Sequence, residues 1–374
     1  MKIKPFKVEQ WMNEYEMDAV YNIAETCVDS ISLNELLDMA GLDKDTFFEE
    51  ISGSRLTYGY ITGNPRFKKA IATLYDGLTE EQILTTNGGI GANNLVLQTI
   101  VNSGDKVVSI IPTYQQLYSI PESLGADVTV IYLKKEDEYL PDMELLRKVV
   151  TDDTKLITLN NPNNPTGAII PEEMMLEIVE LARKHDAYLM CDEVYRGLSQ
   201  DGSRQKSVAE LYEKGVGTSS MSKVFSLAGL RLGWIATRNL ELMEALMSHR
   251  DYSIISCGML DEIIGAVALE HKDKLLERNI AIIKKNLSIL DEWIQRHPRF
   301  SYVKPKAGTT ALVYYDYDID SYNFCIGLME HSKTFVTPGD CFEYEKSFRI
   351  GYASSTEVLI KGLEMMEDYV KKFE

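Results

Sequence analysis

Residues 155–195, KLITLNNPNNPTGAIIPEEMMLEIVELARKHDAYLMCDEVY, decide the fold. They open on a short apolar run at 155–159, cross a polar turn, enter a helical pattern and return to a second apolar run at 187–191. Pro171 falls in the first turn of the helical stretch, acids follow it, and Arg183, Lys184 and His185 close it. That is the charge order the helix dipole favours. The two apolar runs are short and do not alternate with polar residues, so they read as strands buried on both faces. Strand, helix, strand implies a right-handed crossover between parallel neighbours.

The same alternation continues outward. Upstream, 106–111 (KVVSII) reads as another buried strand, and 67–75 (FKKAIATLY) and 92–101 (ANNLVLQTIV) read as helices. From about residue 240 the pattern turns helical, with LELMEALMSHR followed by a long stretch from Leu260 to Arg296. Strand-like 311–315 (ALVYY) and 347–353 (SFRIGYA) come next, then a last helix from Ser355. The first fifty residues lack the alternation. The expected class is α/β: a three-layer α/β/α large domain over 50–280 with a mostly parallel central sheet, plus a smaller α+β domain built from 1–49 and 281–374. In such sheets ligands bind beyond the carboxyl ends of the strands.

Bulk properties narrow the function. With 374 residues, 45% hydrophobic and 26% charged, the chain is neither disordered nor a single small core. A formal net charge of -18 repels phosphate backbones, which disfavours nucleic-acid partners. Cys27, Cys191, Cys257, Cys325 and Cys341 are scattered and odd in number, and the histidines show no ligand spacing, so neither a disulfide framework nor a metal site is expected. The opening MKIKPFKVEQW has no apolar signal stretch, and no run is long enough to span a membrane. The expected setting is reducing and cytoplasmic.

The chemistry should lie where the strands end. After 155–159 comes NNPNNPTG, where Asn164 projects an amide from a turn that reads equally as plain structure. After 187–191 come Asp192 and Tyr195. A carboxylate there caps a turn, or faces a buried cationic nitrogen and keeps it protonated. After 106–111 comes Tyr114, either core packing or a flat ring for a planar ligand. TTNGGIGANN (85–94) exposes the backbone N–H groups of Gly89 and Ile90 at a helix start, a ready phosphate site. It is neither a dinucleotide fingerprint nor a Walker loop. Lys223 sits in SSMSKVFSLAGLRLGW beside Ser220 and Ser222, with Arg231 eight residues on. Taken alone it reads as a surface lysine in a polar loop. Used as a nucleophile, it would need desolvation or a nearby cation. Arg349, inside a strand-like run, needs a carboxylate partner, either a substrate or an internal aspartate.

Together and in order, from Tyr58 to Arg349, the segments YGYITGNPRFKKAIA, TNGGIGA, PTY, NPNNPTG, CDEVY, SMSKVFSLAGLRLGW and SFRIGYA resemble the class I/II aminotransferases of pyridoxal-phosphate fold type I. The resemblance implies pyridoxal 5'-phosphate as cofactor and a homodimer acting on small molecules, an amino acid and a 2-oxo acid. It implies that Lys223 forms the Schiff base and then shuttles a proton, and that Asp192 keeps the pyridine nitrogen protonated. Tyr195 and Asn164 would hydrogen-bond the ring's phenolate oxygen, and Tyr114 would stack on the ring. Gly89, Ile90, Ser220, Ser222 and Arg231 would hold the phosphate, with Tyr58 reaching it from the other subunit. Arg349, beside Asn164, would clamp the substrate α-carboxylate.

Two departures stand out. The substrate-covering stretch near the N-terminus, NIAETCVDSISLNELL (22–37), has no glycine or proline, and its Glu25 and Thr26 read either as substrate-facing or as a helix cap or solvated loop. Ile90 also stands where relatives often have a hydroxyl or amide. The alternative to transamination is a β-eliminating C–S lyase or a biosynthetic cyclising enzyme on the same fold. A ligand-sensing regulator would need a DNA-binding domain, for which the chain has neither room before the fold nor the charge.

Overall fold

The computed structural model describes residues 2–373. Its centre is a seven-stranded sheet of Ile83–Asn87 (β1), Lys106–Ile111 (β2), Asp127–Tyr132 (β3), Thr154–Asn160 (β4), Tyr188–Asp192 (β5), Gly215–Ser220 (β6) and Leu232–Thr237 (β7). The spatial order is β1-β7-β6-β5-β4-β2-β3. All neighbours are parallel except β7, which runs antiparallel to both β1 and β6. The sheet is therefore mostly parallel, as the sequence implied.

Successive residues of the central strands enter different layers. Val108, Ile157 and Leu189 pack with Met175, Ile178 and Ala182 of the helix Glu172–Lys184. Their chain neighbours Val107, Leu156 and Met190 pack on the other face, with Leu95 and Val96 of the helix Gly88–Ile100 and Leu242 and Leu246 of Leu240–Arg250. Both faces are dry, which is why these strands carry continuous apolar runs.

Strands β6 and β7 were not legible as strands. The run GVGTSS (215–220) has almost no apolar content, yet every residue of it is buried. Pro171 is the N-cap of the helix at Glu172 rather than a residue within its first turn. The long helical stretch after Leu260 is two helices, Met259–Glu270 and Lys272–Arg296, which meet at His271.

A second, four-stranded antiparallel sheet runs in the order Thr337–Pro338, Ser347–Gly351, Thr310–Tyr315, Phe300–Tyr302. Arg349 lies in its interior, opposite Thr337 on one side and Leu312 on the other. The short strand Tyr21–Asn22 pairs in parallel with Thr334–Phe335. The N-terminal helix Lys7–Tyr15 is pinned here too: Trp11 Nε1 donates to the Val336 carbonyl at 2.9 Å, and its ring stacks on Phe335.

Residues 22–29 are not a solvated loop. Gly351 N donates to the Ile23 carbonyl at 2.8 Å, Asp29 N to Ala353 O at 2.8 Å, and Thr309 Oγ1 to Thr26 O at 2.7 Å. On the other side, Val28 N donates to the Lys223 carbonyl at 3.3 Å. The stretch is wedged between the second sheet and the Lys223 loop. The glycine this needs lies across from it, since a Cβ at Gly351 would overlap the Glu25 carbonyl.

Candidate active site

Because β4, β5 and β6 are parallel and in register, their carboxyl ends place Asn160 beside Asp192 and Asp192 beside Thr218. A cavity of about 360 Å³ opens above them. Lys223, Asp192, Tyr195, Asn164, Tyr114, Gly89, Ile90, Ser220, Ser222, Arg231 and Arg349 all line it. Residues separated by 260 positions in sequence thus meet in one space. Tyr58 does not line it; its side chain is 76% exposed on this chain.

Asp192 is 3% exposed and makes no ion pair among the described residues. Its carboxylate accepts from Asn93 Nδ2 at 2.8 Å and from Val194 N at 3.2 Å. Asn93 is itself fixed, because Thr218 Oγ1 donates to its Oδ1 at 2.6 Å. Burial raises the Asp192 pKa, against the hydrogen bonds and the Lys223 charge that lower it. A carboxylate with only neutral direct partners in a dry site is suited to an added cation. Asp192 therefore does not merely cap a turn.

Arg349 presents the complementary case. It is 3% exposed, and no carboxylate lies within ion-pair reach among the described residues. Its Nη2 donates to Ala24 O and Thr337 Oγ1, each at 3.2 Å, and Nη1 to Asn164 Oδ1 at 3.4 Å, while Nε has no partner. Burial lowers its pKa. The internal-aspartate reading of Arg349 is thereby removed. A buried guanidinium that lines a cavity and has an unpartnered N–H fits a carboxylate that arrives from outside.

Lys223 Nζ donates to Thr26 Oγ1 at 2.6 Å and lies 3.5 Å from Cys27 Sγ. Burial alone would lower its pKa, but Cys27, Tyr195 and Glu25 raise it. Burial holds the Cys27 thiol up to about 11, so it is neutral near pH 7. The standing negative charge near the amine is Glu25. Burial would raise that carboxyl, but Lys223 and the Thr26 and Cys27 N–H groups bring it below its ordinary value. Glu25 Oε1 accepts from Thr26 N at 2.7 Å and Cys27 N at 2.8 Å. Thr26 is neither helix cap nor solvated; it grips the lysine.

The opposite end of the cavity suits a phosphate. The helix Gly88–Ile100 starts on the glycines themselves, earlier than its sequence pattern indicated, and presents its first unpaired N–H groups there. Gly88 has φ +71°, and a Cβ on it would lie 3.0 Å from Arg231 Nη2. Arg231 donates to Ala228 O at 2.9 Å, has no salt bridge among the described residues, and adopts φ 51° itself. Gly233 of β7 lets the turn sit close, since a Cβ there would overlap the Gly88 backbone. Ile90, 43% exposed, contributes an apolar side chain at this rim.

Several site residues carried no individual sequence signal. Asn160 donates to the Asp192 carbonyl at 2.8 Å and accepts from Asn164 N at 2.6 Å. Tyr114 OH donates to Glu9 at 2.7 Å, linking the cavity wall to the N-terminal helix. Asn93 could have been suspected as an amide on the buried, otherwise apolar side of its helix. Glu9 could not, because its partner is about one hundred residues away; the sequence left Thr26 open between substrate contact and plain structure, but its bond to Lys223, about two hundred residues on, was not legible.

The family model for class I and II aminotransferases matches residues 31–363. A capreomycidine synthase from Streptomyces vinaceus is 27% identical over 364 residues, covering 96% of this chain and 92% of its own. An aspartate aminotransferase from Musicola paradisiaca is 26% identical, covering 83% of this chain and 81% of its own. Among solved structures, a PLP-dependent aminotransferase from Streptococcus suis superposes with a TM-score of 0.97 at 41% identity, over 100% of this chain and 99% of its own. A PLP-dependent cyclase superposes with a TM-score of 0.92 at 24% identity, over 100% and 98%, which is a likeness of fold.

Proposed function

The chain belongs to the class I and II aminotransferase family, and we propose that it moves an amino group from an amino acid to a 2-oxo acid, using pyridoxal 5'-phosphate at Lys223. The observation that carries this reading is a buried carboxylate without a cation, Asp192, and a buried guanidinium without a carboxylate, Arg349, facing one cavity with Lys223. When bound, pyridoxal phosphate supplies a carbonyl to receive the amino group and a ring to accept the electrons of the broken bond.

The residues divide the work. Gly89, Ile90, Ser220, Ser222 and Arg231 hold the phosphate at the helix start. Asp192, held by Asn93 and Val194, keeps a proton on the ring nitrogen. Asn164 and Tyr195 would hydrogen-bond the ring's hydroxyl side, and Tyr114 would pack against the ring. Arg349 binds the substrate α-carboxylate, which fixes the amino acid's Cα near Lys223. The Lys223 amine takes the proton from Cα and returns it to the acceptor carbon, and prior placement supplies most of its advantage. Thr26 orients that amine. The partner subunit of a homodimer would bring Tyr58 to the phosphate.

A second reading starts with the same proton removal and then expels a substituent from Cβ, as an eliminating or cyclising enzyme would. What favours keeping it is the likeness to a capreomycidine synthase along 96% of this chain. The loaded enzyme should be screened spectrally against single amino acids. Conversion to the amine form of the cofactor, reversed by a 2-oxo acid, supports transfer. Release of ammonia with a 2-oxo acid, and no accumulation of the amine form, overturns it in favour of elimination.

A further inference from the structure

The helix Lys7–Tyr15 and the turn after it present one face to the cavity. Val8, Glu9, Met12 and Glu16 lie on it at helical spacing. With Glu25 they bring three carboxylates of the N-terminal segment to the cavity that already contains Asp192. None of the three makes a salt bridge among the described residues; their partners are Tyr114 OH for Glu9, Asn22 Nδ2 at 3.1 Å for Glu16, and backbone N–H groups for Glu25. Burial raises the Glu16 pKa, and Glu25 and Glu9 push it further, against the Asn22 hydrogen bond and the Arg349 charge that lower it. Like charges are gathered in a half-buried space, and the cations that act on them are Lys223 on Glu25 and Arg349 on Glu16.

The cations lining the cavity are Lys223, Arg231 and Arg349. The first two face the cofactor end, and Arg349, with its unpartnered buried Nε, awaits a carboxylate. Against these three cations the lining sets four carboxylates, Glu9, Glu16, Glu25 and Asp192. From these side chains, we infer that the substrate is an amino acid whose side chain has an apolar stem and ends in a cation, an ammonium or a guanidinium. Val8 and Met12 would cover the stem, and Glu9 and Glu16 would receive the charged end. Among the described residues lining the cavity, no cation beyond Lys223, Arg231 and Arg349 is present to meet the side-chain carboxylate of aspartate or glutamate. The inference rests on the amino-acid reading above and deepens it.

The test separates the two readings by measuring binding and transfer independently. Holoenzyme is titrated calorimetrically with lysine against norleucine and with arginine against citrulline, pairs of similar shape that differ in charge. The basic member of at least one pair should bind about tenfold tighter or more. In the Glu9→Gln/Glu16→Gln double variant that ratio should fall towards one, with the native circular dichroism spectrum retained. Neutral members binding as well as basic ones, or aspartate or glutamate binding best, would overturn the inference. A ratio unchanged in the double variant would overturn the assignment to Glu9 and Glu16; the single variant Glu16→Lys, which should reverse the preference towards glutamate, checks that result. Basic amino acids that bind tightly but pass no amino group to any 2-oxo acid would overturn amino transfer and leave the binding inference standing.

Discussion

Among single residues, Lys223 has its position set by an unexpected neighbour. Its amine is held by Thr26, from a stretch that the sequence left open between substrate contact and solvated loop. Lys223→Ala should abolish the borohydride-reducible adduct with pyridoxal phosphate, seen as loss of the mass increment on the intact protein; an increment persisting on another lysine would displace the assignment. Thr26→Val keeps the shape and deletes the hydroxyl. We expect kcat to fall about tenfold with KM nearly constant, since one charge-assisted hydrogen bond of about 1.5–3 kcal/mol is lost. Asp192→Asn should weaken pyridoxal phosphate binding about 100-fold or more, as removal of one member of a buried ion pair does. Asp192 also predicts a pH dependence. Burial raises its pKa in the cofactor-free protein, so the folded state holds this proton to higher pH than the unfolded chain does. The contribution to stability is complete below the ordinary carboxylate pKa of about 4 and is lost as pH rises through the raised value. Thermal melts of cofactor-free wild type against Asp192→Asn across that acid window should show the excess slope in the wild type alone.

At the level of elements, the phosphate turn depends on close approach between β1 and β7. Gly88 adopts φ +71° and faces Arg231, so Gly88→Ala strains the backbone by about 1–2 kcal/mol and crowds the guanidinium. Pyridoxal phosphate affinity should fall about tenfold with native circular dichroism retained; unchanged affinity would show that the turn does not hold the phosphate. Elements with strong apolar periodicity, such as β2, β4, β5 and Glu172–Lys184, were legible because burial on both faces writes itself into local sequence. The strand β6 was not: Gly217, Thr218, Ser219 and Ser220 are small and polar because that strand adjoins Asp192 and the phosphate end of the cavity. Polar content that serves the site removes the pattern that announces a strand. Most motif residues of the site were legible by their place at or just past a strand end, whereas Arg349 lies inside a strand. Residues 7–27 gave no such motif, and Glu25 and Thr26 were left open between substrate contact and plain structure, because the role of this stretch is defined by contacts across the whole chain.

Across the whole molecule, Tyr58 is the residue that one chain leaves unexplained. It stands with Leu56, Tyr60 and Ile61 in an exposed apolar stretch, and Tyr252 and Ile255 are also exposed. Such a stretch reads as a contact surface. Light scattering should give twice the chain mass, and Tyr58→Phe should weaken pyridoxal phosphate binding by removing a partner-supplied hydroxyl; a monomer retaining full affinity would exclude that role. The N-terminal helix has a further consequence. It is tied by Trp11 to the second sheet and by Glu9 to Tyr114, yet supplies none of the groups proposed for proton transfer. On the proposed roles, reaction and recognition are written in separate stretches of the chain: about twenty residues at the N-terminal end would set the wall that a side chain meets, while the apparatus at the strand ends would be indifferent to which side chain it is. Such a segment can be rewritten, by drift or by grafting, without disturbing the chemistry behind it, and a family with one reaction can acquire new substrates at its leading edge.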